Sequence, residues 1–264
     1  MDASSVPVLF DVAAGVARIR FNRPSALNAI DEALARAFLA ACEDIARRDD
    51  IRVVVMSGEG KGFMAGGDVA RMVEAAPNVG TFVDALLDAI EPALLLPADI
   101  PAPVVASVHG AVAGAGVSLM LAADFAIAAD DAKFNLAYSA IGATPDASGT
   151  WTLPRAVGLR RAMEIALVSD TYSAADALAL GLVNKVVPRG ELAAATDNFA
   201  RRLACGPTLA YGRIKKLLRG SLGHTVQQQM DLERAAFHES TLTADFKEGT
   251  AAFVGKRKAN FTGT

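Results

Sequence analysis

Residues 107–118 read Ser-Val-His-Gly-Ala-Val-Ala-Gly-Ala-Gly-Val-Ser, a run without Asp, Glu, Lys or Arg that follows the strand-like residues 103–106 (Pro-Val-Val-Ala). Its glycines allow the backbone to approach a ligand closely. A second such segment, residues 60–68 (Gly-Lys-Gly-Phe-Met-Ala-Gly-Gly-Asp), also ends a β-like run. Two backbone N–H groups from these turns, converging on one carbonyl oxygen, would form an oxyanion hole. The two segments therefore indicate acyl or thioester chemistry.

The composition predicts a folded protein with a substantial core. Of the 264 residues, 52% are hydrophobic and 21% are charged, which argues against disorder. The formal net charge is −3 and no basic stripe is present, so we expect no nucleic-acid partner. The two cysteines, Cys42 and Cys205, do not make a disulfide framework, and we see no secretory leader. We therefore expect a cytoplasmic protein.

Residues 104–123 resemble a membrane span, because they carry no Asp, Glu, Lys or Arg and are about long enough to cross a bilayer. However, they are rich in Ala and Gly, contain His109, and lack flanking Lys or Arg anchors. A buried strand, a turn and a buried helix explain the segment better, and we expect no membrane partner.

The apolar pattern of the first 130 residues predicts strands that alternate with helices. Residues 8–21 are typical of a hairpin that turns at Ala14-Gly15, and Asp31 is predicted to cap a helix. The apolar face of that helix consists of Leu34, Phe38, Cys42 and Ile45. Further strands are predicted at 51–56, 104–108 and 125–129, a helix at 81–96 with an interruption near Pro92, and another helix from Ala115. This alternation favours an α/β fold with parallel strands.

From residue 153 onward the pattern is mostly helical. A capping box at 173–176 begins one helix, which Gly181 ends, and a short strand follows at 184–187. Further helices are predicted at 192–205, 209–218, 226–238 and 246–254. We place a boundary near residue 190, with a catalytic core at 1–190 and a helical part at 191–264.

Several familiar motifs fail on their spacing. Leu119 stands where a dinucleotide fingerprint starting at Gly114 needs its third glycine, and Gly62 replaces the Ser or Thr of a phosphate loop. None of the three histidines has a neighbour at metal-ligand spacing, and no Gly-x-Ser-x-Gly elbow is present. We therefore expect no metal and no serine triad.

Asp146 lies in the loop 142–150, which reads Gly-Ala-Thr-Pro-Asp-Ala-Ser-Gly-Thr. On residue chemistry alone, an Asp in such a loop is most often a turn residue or a helix cap. A functional carboxylate, held by the restrained backbone of Pro145, is the alternative.

Ordered landmarks along the chain resemble the enoyl-CoA hydratase/isomerase family, also called the crotonase superfamily, from Val16 to the end. The landmarks are Phe21-Asn22-Arg23-Pro24, Ala26-Leu27-Asn28-Ala29, residues 63–68, Val108-His109-Gly110, Gly114-Ala115-Gly116, Asp124, Pro145, Gly149-Thr150, Leu153-Pro154-Arg155, residues 177–183 and residues 253–258. Each piece is weak alone, but their order and spacing are specific.

The resemblance implies a crotonase-like core of repeated ββα turns and a helical C-terminal region for trimerisation. It also implies an acyl-CoA thioester substrate, with coenzyme A as part of the substrate and no separate cofactor, and a homotrimer or a hexamer formed as a dimer of trimers.

By position, the resemblance places the two oxyanion donors on the backbone N–H groups of Gly67 and Ala115. Ala115 stands where the family often has glycine, but a backbone donor survives this change. The residues that fall along the coenzyme A channel are Ala26, Leu27, Ala65 and Asp68. Phe253 and Lys256 fall where some members reach the ligand of a neighbouring subunit.

The departures from the family pattern concern the catalytic acids. Hydratases of the family carry two glutamates, and those positions hold Ser118 and Tyr138 here. Neither side chain is a carboxylate base near neutral pH. Asp146 instead falls where a subgroup resembling the phenylacetate-pathway isomerases keeps a single Asp. The resemblance thus implies an enoyl-CoA isomerase with Asp146 as the base, in an apolar wall that includes Tyr138, Ile141 and Trp151.

Three other functions stay open on the sequence. One is an enoyl-CoA hydratase with another base, in fatty-acid or aromatic acyl-CoA degradation. A second is a dehalogenase-like reaction with Asp146 as nucleophile, although Glu91 occupies the region of its activating histidine. The third, a non-catalytic acyl-CoA-binding protein, is suggested by the loss of both glutamates. In each case residues 71–96 are expected to wall the acyl pocket.

Overall fold

The computed structural model describes residues 6–264, in which ten strands and eleven α-helices form. Residues 1–5 lie outside the described residues, and with them the start of the predicted 1–190 core and the segment for which no secretory leader is expected. The strands are β1 (Val8–Ala13), β2 (Val16–Phe21), β3 (Val53–Gly58), β4 (Gly62–Met64), β5 (Val104–Val108), β6 (Ala111–Ala113), β7 (Phe125–Ala129), β8 (Lys133–Asn135), β9 (Tyr172–Ser173) and β10 (Lys185–Val187). The helices are α1 (Glu32–Ala46), α2 (Val69–Glu74), α3 (Val79–Asp99), α4 (Ala115–Ala122), α5 (Gly149–Val157), α6 (Leu159–Val168), α7 (Ala174–Leu180), α8 (Leu192–Ala204), α9 (Thr208–Gly220), α10 (Val226–Thr241) and α11 (Ala244–Val254).

A six-stranded sheet in the order β1-β2-β3-β5-β7-β10 forms the centre of the fold. The hairpin β1–β2 is antiparallel and turns at Ala14 and Gly15, both of which have positive φ. All other neighbours in this sheet are parallel. The predicted α/β class with parallel pairing is confirmed.

A second, four-stranded sheet in the order β4-β6-β8-β9 lies beyond the ends of the first. The chain repeats one unit three times: β3-β4 leads to α2 and α3, β5-β6 to α4, and β7-β8 to α5. Each unit gives one strand to each sheet. This is the ββα core that the resemblance implied, and it explains residues 104–123, which form β5, β6 and α4. No helix within residues 6–264 has the length and apolarity needed to cross a membrane.

The main core lies between the large sheet and helices α1 and α3. Three phenylalanine rings meet edge to face at its centre, with Phe21 at 5.3 Å from Phe38 and 5.6 Å from Phe63. The opposite face of the sheet is covered by α8, whose Leu192, Ala200 and Leu203 pack on it. The first helix of the predicted C-terminal part therefore covers the catalytic core, and the division near residue 190 stays a prediction.

The predicted helix caps are present. Asp31 accepts a hydrogen bond from the N–H of Leu34, and Ser173 and Asp176 form a reciprocal capping box. Gly181 ends α7 in the left-handed conformation.

The predicted interruption near Pro92 is wrong, because α3 runs from Val79 to Asp99 with Pro92 and Pro97 inside it. A proline in a helix costs about 3 kcal/mol. The buried side chains of α3 lie on both sides of Pro92 and pack against α1. Burial of each large apolar side chain gives roughly 1.5–3 kcal/mol, so the continuous apolar face outweighs the break.

Helix α9 is tied to the core by a buried cation. Lys215 Nζ lies 2.9 Å from Asp124 Oδ2 and donates to the carbonyl of Ala102 at 2.8 Å. Arg219 also pairs with Asp124, at 2.9 Å. None of the 16 residues of α10 is buried, and its exposed side chains include Val226, Met230 and Phe237. The predicted trimer or hexamer stays a prediction.

Candidate active site

Two backbone turns meet where the small sheet joins the helices. Gly66 has φ of +95°, and Gly114 has φ of +51° with ψ of −125°, a combination that side chains disfavour. A Cβ atom on Gly66 would lie 3.1 Å from the carbonyl oxygen of Ala113 and 3.3 Å from the nitrogen of Ala115. The absence of a side chain at Gly66 therefore lets the first turn contact the N-terminus of α4.

The hydrogen bonds around these turns leave two N–H groups unused. Gly67 forms a parallel bridge with Ile30, in which Ile30 donates to Gly66 and Asp68 donates to Ile30. The N–H of Gly67 is not part of this pair. Ala115 is the first residue of α4, so its N–H has no acceptor within the helix. Both candidate oxyanion donors therefore lie at the same cavity with free backbone N–H groups, and the positive end of α4 adds to the field there.

A cavity of about 500 Å³ opens beside these donors. Gly67, Ala115 and Asp146 all line it. Its apolar walls come from α2, α3 and neighbouring loops. The apolar lining residues with larger side chains are Ile30, Val69, Met72, Val83, Leu86, Leu87, Ile90 and Ile141. This lining agrees with the expectation that residues 71–96 border the pocket. The short helix α2, which forms part of this wall, was not predicted from the sequence.

Asp146 and Tyr138 form the polar end of the cavity. The Tyr138 hydroxyl donates a hydrogen bond to Asp146 Oδ1 at 2.5 Å. The side chain of Asp146 does not cap α5, because Ser148 occupies the cap position without a side-chain hydrogen bond. The helix cap is therefore not formed. The turn that residue chemistry also favoured is present, since the backbone carbonyl of Asp146 accepts from the N–H of Gly149 at 2.8 Å.

The backbone next to both residues is strained. Ala137, directly before Tyr138, has φ of +57°, and Ala147 and Ser148, directly after Asp146, have φ of +48° and +67°. Non-glycine residues in this region cost roughly 1–3 kcal/mol each, and such strain clusters at functional sites. The strain is thus consistent with a fixed placement of the Tyr138–Asp146 pair.

Burial controls the ionisation of this pair. Desolvation raises the pKa of Asp146 above its ordinary value, and the hydrogen bond from Tyr138 opposes this rise. Desolvation and the nearby Asp146 charge raise the pKa of Tyr138 far above its usual range. Asp146 is therefore the group of the pair with the chemistry of a base, and Tyr138 stays protonated.

Ser118 lies behind the pair on α4. It is completely buried, and its Oγ has no hydrogen-bond partner among the described residues. A Cβ atom on Gly149 would lie 2.6 Å from this Oγ, so the glycine allows α5 to pack directly against Ser118. The hydroxyl also lowers the pKa of Tyr138, against the larger effect of burial.

The structure places half of the predicted site residues in the lining of the cavity. Ala65, Tyr138 and Ile141 line it together with Gly67, Ala115 and Asp146. Ala26 and Leu27 lie next to it, since the N–H of Ala65 donates to the carbonyl of Leu27 at 3.0 Å. Asp68 caps α2, which forms part of the wall.

Three predicted residues lie elsewhere. Trp151 is outside the cavity, contrary to its predicted place in the apolar wall, because the buried face of α5 is formed by other residues. Its half-exposed ring instead lies 3.8 Å below the guanidinium of Arg155. Phe253 and Lys256, at the end of α11, are exposed and do not line the cavity of their own chain. Their contact with a neighbouring subunit stays a prediction.

Two supporting residues were missed by the sequence reasoning. Arg23 lies 3.1 Å from both Asp31 and Asp68, and so joins the caps of α1 and α2. Asn28 is fully buried, and its amide donates to the carbonyls of Gly62 and Phe63 at 2.9 and 3.1 Å. Both residues belong to motifs of the family pattern, so the sequence did mark them. Their hydrogen-bond and ion-pair partners become known only from the fold.

No group of three or more metal-ligating side chains occurs within residues 6–264. The polar groups that line the cavity include one half-buried carboxylate, one phenol and the backbone N–H groups of Gly67 and Ala115.

Comparisons with known proteins agree with this geometry. The family model for enoyl-CoA hydratase/isomerase matches residues 11–264. The 1,2-epoxyphenylacetyl-CoA isomerase of Escherichia coli is 39% identical over 97% of this chain and 98% of that protein. The trans-2-decenoyl-(acyl-carrier-protein) isomerase of Streptococcus mutans is 37% identical over the same shares. Among solved structures, an enoyl-CoA hydratase from a Polaromonas species has a TM-score of 0.91 at 31% identity, over 97% of this chain and 99% of that one.

Proposed function

The chain belongs to the enoyl-CoA hydratase/isomerase family, and we propose that it is an enoyl-CoA isomerase that moves a double bond of an acyl-CoA through a thioester enolate. The observation that carries the proposal is the place of Asp146. It is the one carboxylate among the described residues that line the cavity, beside the free N–H groups of Gly67 and Ala115. The two positions of the hydratase glutamates hold Ser118 and Tyr138.

The proposed reaction needs one base and one oxyanion site. Asp146 removes a proton from C2 of a 3-enoyl-CoA, and the electron pair of that C–H bond moves into a dienolate. The negative charge on the thioester oxygen is stabilised by the N–H groups of Gly67 and Ala115, each worth about 3 kcal/mol where such donors have been removed in other enzymes. Protonated Asp146 then returns the proton at C4, which gives the conjugated 2-enoyl-CoA.

The cavity lining favours an uncharged acyl group. Apart from Asp146 and Tyr138, no titratable side chain lines it within the described part of the chain. A terminal carboxylate on the acyl chain would find no cation there and would be repelled by Asp146. The apolar side chains of α3 suit an aliphatic or aromatic group.

The names of the relatives include isomerases and a hydratase, so they support the family more than the reaction. The loss of both glutamates is what argues against hydration. A paired assay tests the choice: one preparation is given a 3-enoyl-CoA, followed by formation of the conjugated product, and a 2-enoyl-CoA, followed by its hydration. We expect fast isomerisation and little hydration. Fast hydration without isomerisation would overturn the proposal, and tight acyl-CoA binding without either reaction would indicate a non-catalytic binder.

A further inference from the structure

We propose that Tyr138 is a positioning residue for the Asp146 base, that its hydroxyl selects the carboxylate oxygen that exchanges protons with the substrate, and that Ser118 supports this hydroxyl. The inference rests on the proposed isomerase function and adds two residues to it. It starts from the two positions at which the chain lacks the glutamates of the hydratases.

The hydrogen bond decides which oxygen of Asp146 is free. Oδ1 accepts from Tyr138 at 2.5 Å, whereas Oδ2 has no side-chain hydrogen bond within residues 6–264. A carboxylate held by one oxygen cannot rotate freely, so Oδ2 is presented in a fixed direction. A single base that serves both C2 and C4 needs such a fixed direction, because small misplacements of a catalytic group lower rates strongly.

The same hydrogen bond is the main interaction that keeps the half-buried carboxylate charged. Burial raises the pKa of Asp146, and the largest opposing effect is the Tyr138 hydroxyl. Other charges nearby point away from the cavity. The acidic residues of α3, Asp84, Asp88 and Glu91, are exposed, and Arg155 of α5 lies against Trp151. Without Tyr138, the carboxylate would face an apolar cavity with little to stabilise its charge.

Ser118 is the residue that we add to the Tyr138–Asp146 pair. Its buried Oγ has no hydrogen bond of ordinary geometry, although it favours the ionised form of Tyr138. A hydroxyl that donates toward the phenol oxygen polarises the phenol and makes it a better donor to Asp146. A buried hydroxyl without a hydrogen-bond partner costs stability, and the proposed support of Tyr138 would give the Ser118 hydroxyl an acceptor.

Tyr138 holds its own proton throughout. Its pKa lies far above the usual range, so it does not act as the acid. During turnover Oδ2 of Asp146 takes the proton from C2 and returns it to C4, while the O–H bond of Tyr138 stays intact. The effect of Tyr138 therefore falls on the orientation and the proton affinity of Asp146.

The test is the pH profile of kcat/KM for a 3-enoyl-CoA in the Tyr138→Phe, Ser118→Ala and Tyr172→Phe variants. Tyr172 is a matched control, because its hydroxyl lies on β9, outside the cavity, and forms no hydrogen bond that affects its pKa. Loss of a donor to a carboxylate raises the pKa of the carboxylate, so the acid limb should move to higher pH. We expect a shift of about one pH unit in Tyr138→Phe, a smaller shift in the same direction in Ser118→Ala, and none in the control.

A uniform loss of activity at every pH in Tyr138→Phe would show a merely structural role and overturn the proposal, as would an unmoved profile. If Tyr138→Phe does not fold, the Ser118→Ala variant decides the question. Movement of its acid limb to higher pH supports the proposal, and an unmoved acid limb overturns it. Asp146→Asn separates this proposal from the proposed function. If that variant still isomerises, the function itself fails; if it is inactive while both other profiles are unmoved, only the positioning role fails.

Discussion

Oδ1 of Asp146 accepts a 2.5 Å hydrogen bond from the hydroxyl of Tyr138, in a cavity that also contains the unused N–H groups of Gly67 and Ala115. The backbone is strained just outside the stretch that the pair spans, directly before Tyr138 and directly after Asp146. A half-buried carboxylate, a phenol that keeps its proton, and two backbone donors are the parts that an enolate-forming isomerase needs. The following predictions test each part.

Asp146→Asn should stabilise the fold at neutral pH. The pKa of Asp146 is raised in the folded state, so this group favours folding when protonated, below its unfolded pKa, and loses that contribution as the pH rises through its folded pKa. The neutral amide avoids the cost of a buried charge and can still accept from Tyr138. Thermal unfolding of both proteins between pH 4 and pH 8 should show a difference in Tm that grows with pH. A variant that is less stable at pH 8 would contradict the assignment of a desolvated carboxylate.

Gly66→Ala should lower kcat/KM without unfolding the protein. The new methyl group would lie 3.3 Å from the nitrogen of Ala115, at a residue with φ of +95°. Displacement of one oxyanion donor costs about 10²–10³ in kcat. Gly80→Ala is the control, because nothing lies within 4 Å of its Cβ position. Equal activity of the two variants would show that the Ala115 N–H is not a donor.

Asn28→Ala should destabilise the fold by about 1–3 kcal/mol, since it leaves the carbonyls of Gly62 and Phe63 in β4 without their side-chain donor. Urea unfolding measures the change. Asn22→Ala, at an exposed hydrogen bond in the preceding landmark, should cost less. Equal losses would mean that burial of the Asn28 amide does not hold β4.

Leu87→Lys should change the preferred substrate. Leu87 lines the cavity on α3, so a cation there should weaken turnover of an apolar acyl-CoA and improve the relative kcat/KM of one with a terminal carboxylate. Leu95→Lys, at a position of α3 that is 65% exposed, is the control. If Leu87→Lys leaves the ratio of the two kcat/KM values unchanged, this cavity does not hold the acyl group.

The sequence predicts the parts of this molecule that local patterns determine. The hairpin at Ala14-Gly15, the caps at Asp31 and Ser173, and the strands β5 and β7 follow from turn chemistry, capping and apolar periodicity. The continuity of α3 through Pro92 does not, because it depends on packing against α1. The very short strands β4, β6, β8 and β9 carry too few residues for a periodic signal.

The candidate site also combines features that the sequence predicts with features that only the fold reveals. The glycines at 66 and 114 are recognisable from the sequence, whereas Asp146 stands out as a candidate base only through the family resemblance. The Tyr138–Asp146 hydrogen bond joins residues eight positions apart through two strained turns, which no periodicity predicts. Trp151 had the right composition for an apolar wall, but the buried face of α5 excludes it from the cavity.

The most direct test of the account compares Asp146→Asn with the exposed control Asp84→Asn and the wild type, by calorimetric binding of a 2-enoyl-CoA and by isomerisation of a 3-enoyl-CoA. The account predicts that all three bind the thioester with the same Kd. It also predicts that Asp146→Asn alone loses isomerisation, by about 10²–10⁴-fold, the range that general acid–base catalysis supplies. Isomerisation at the wild-type rate in Asp146→Asn would contradict the account.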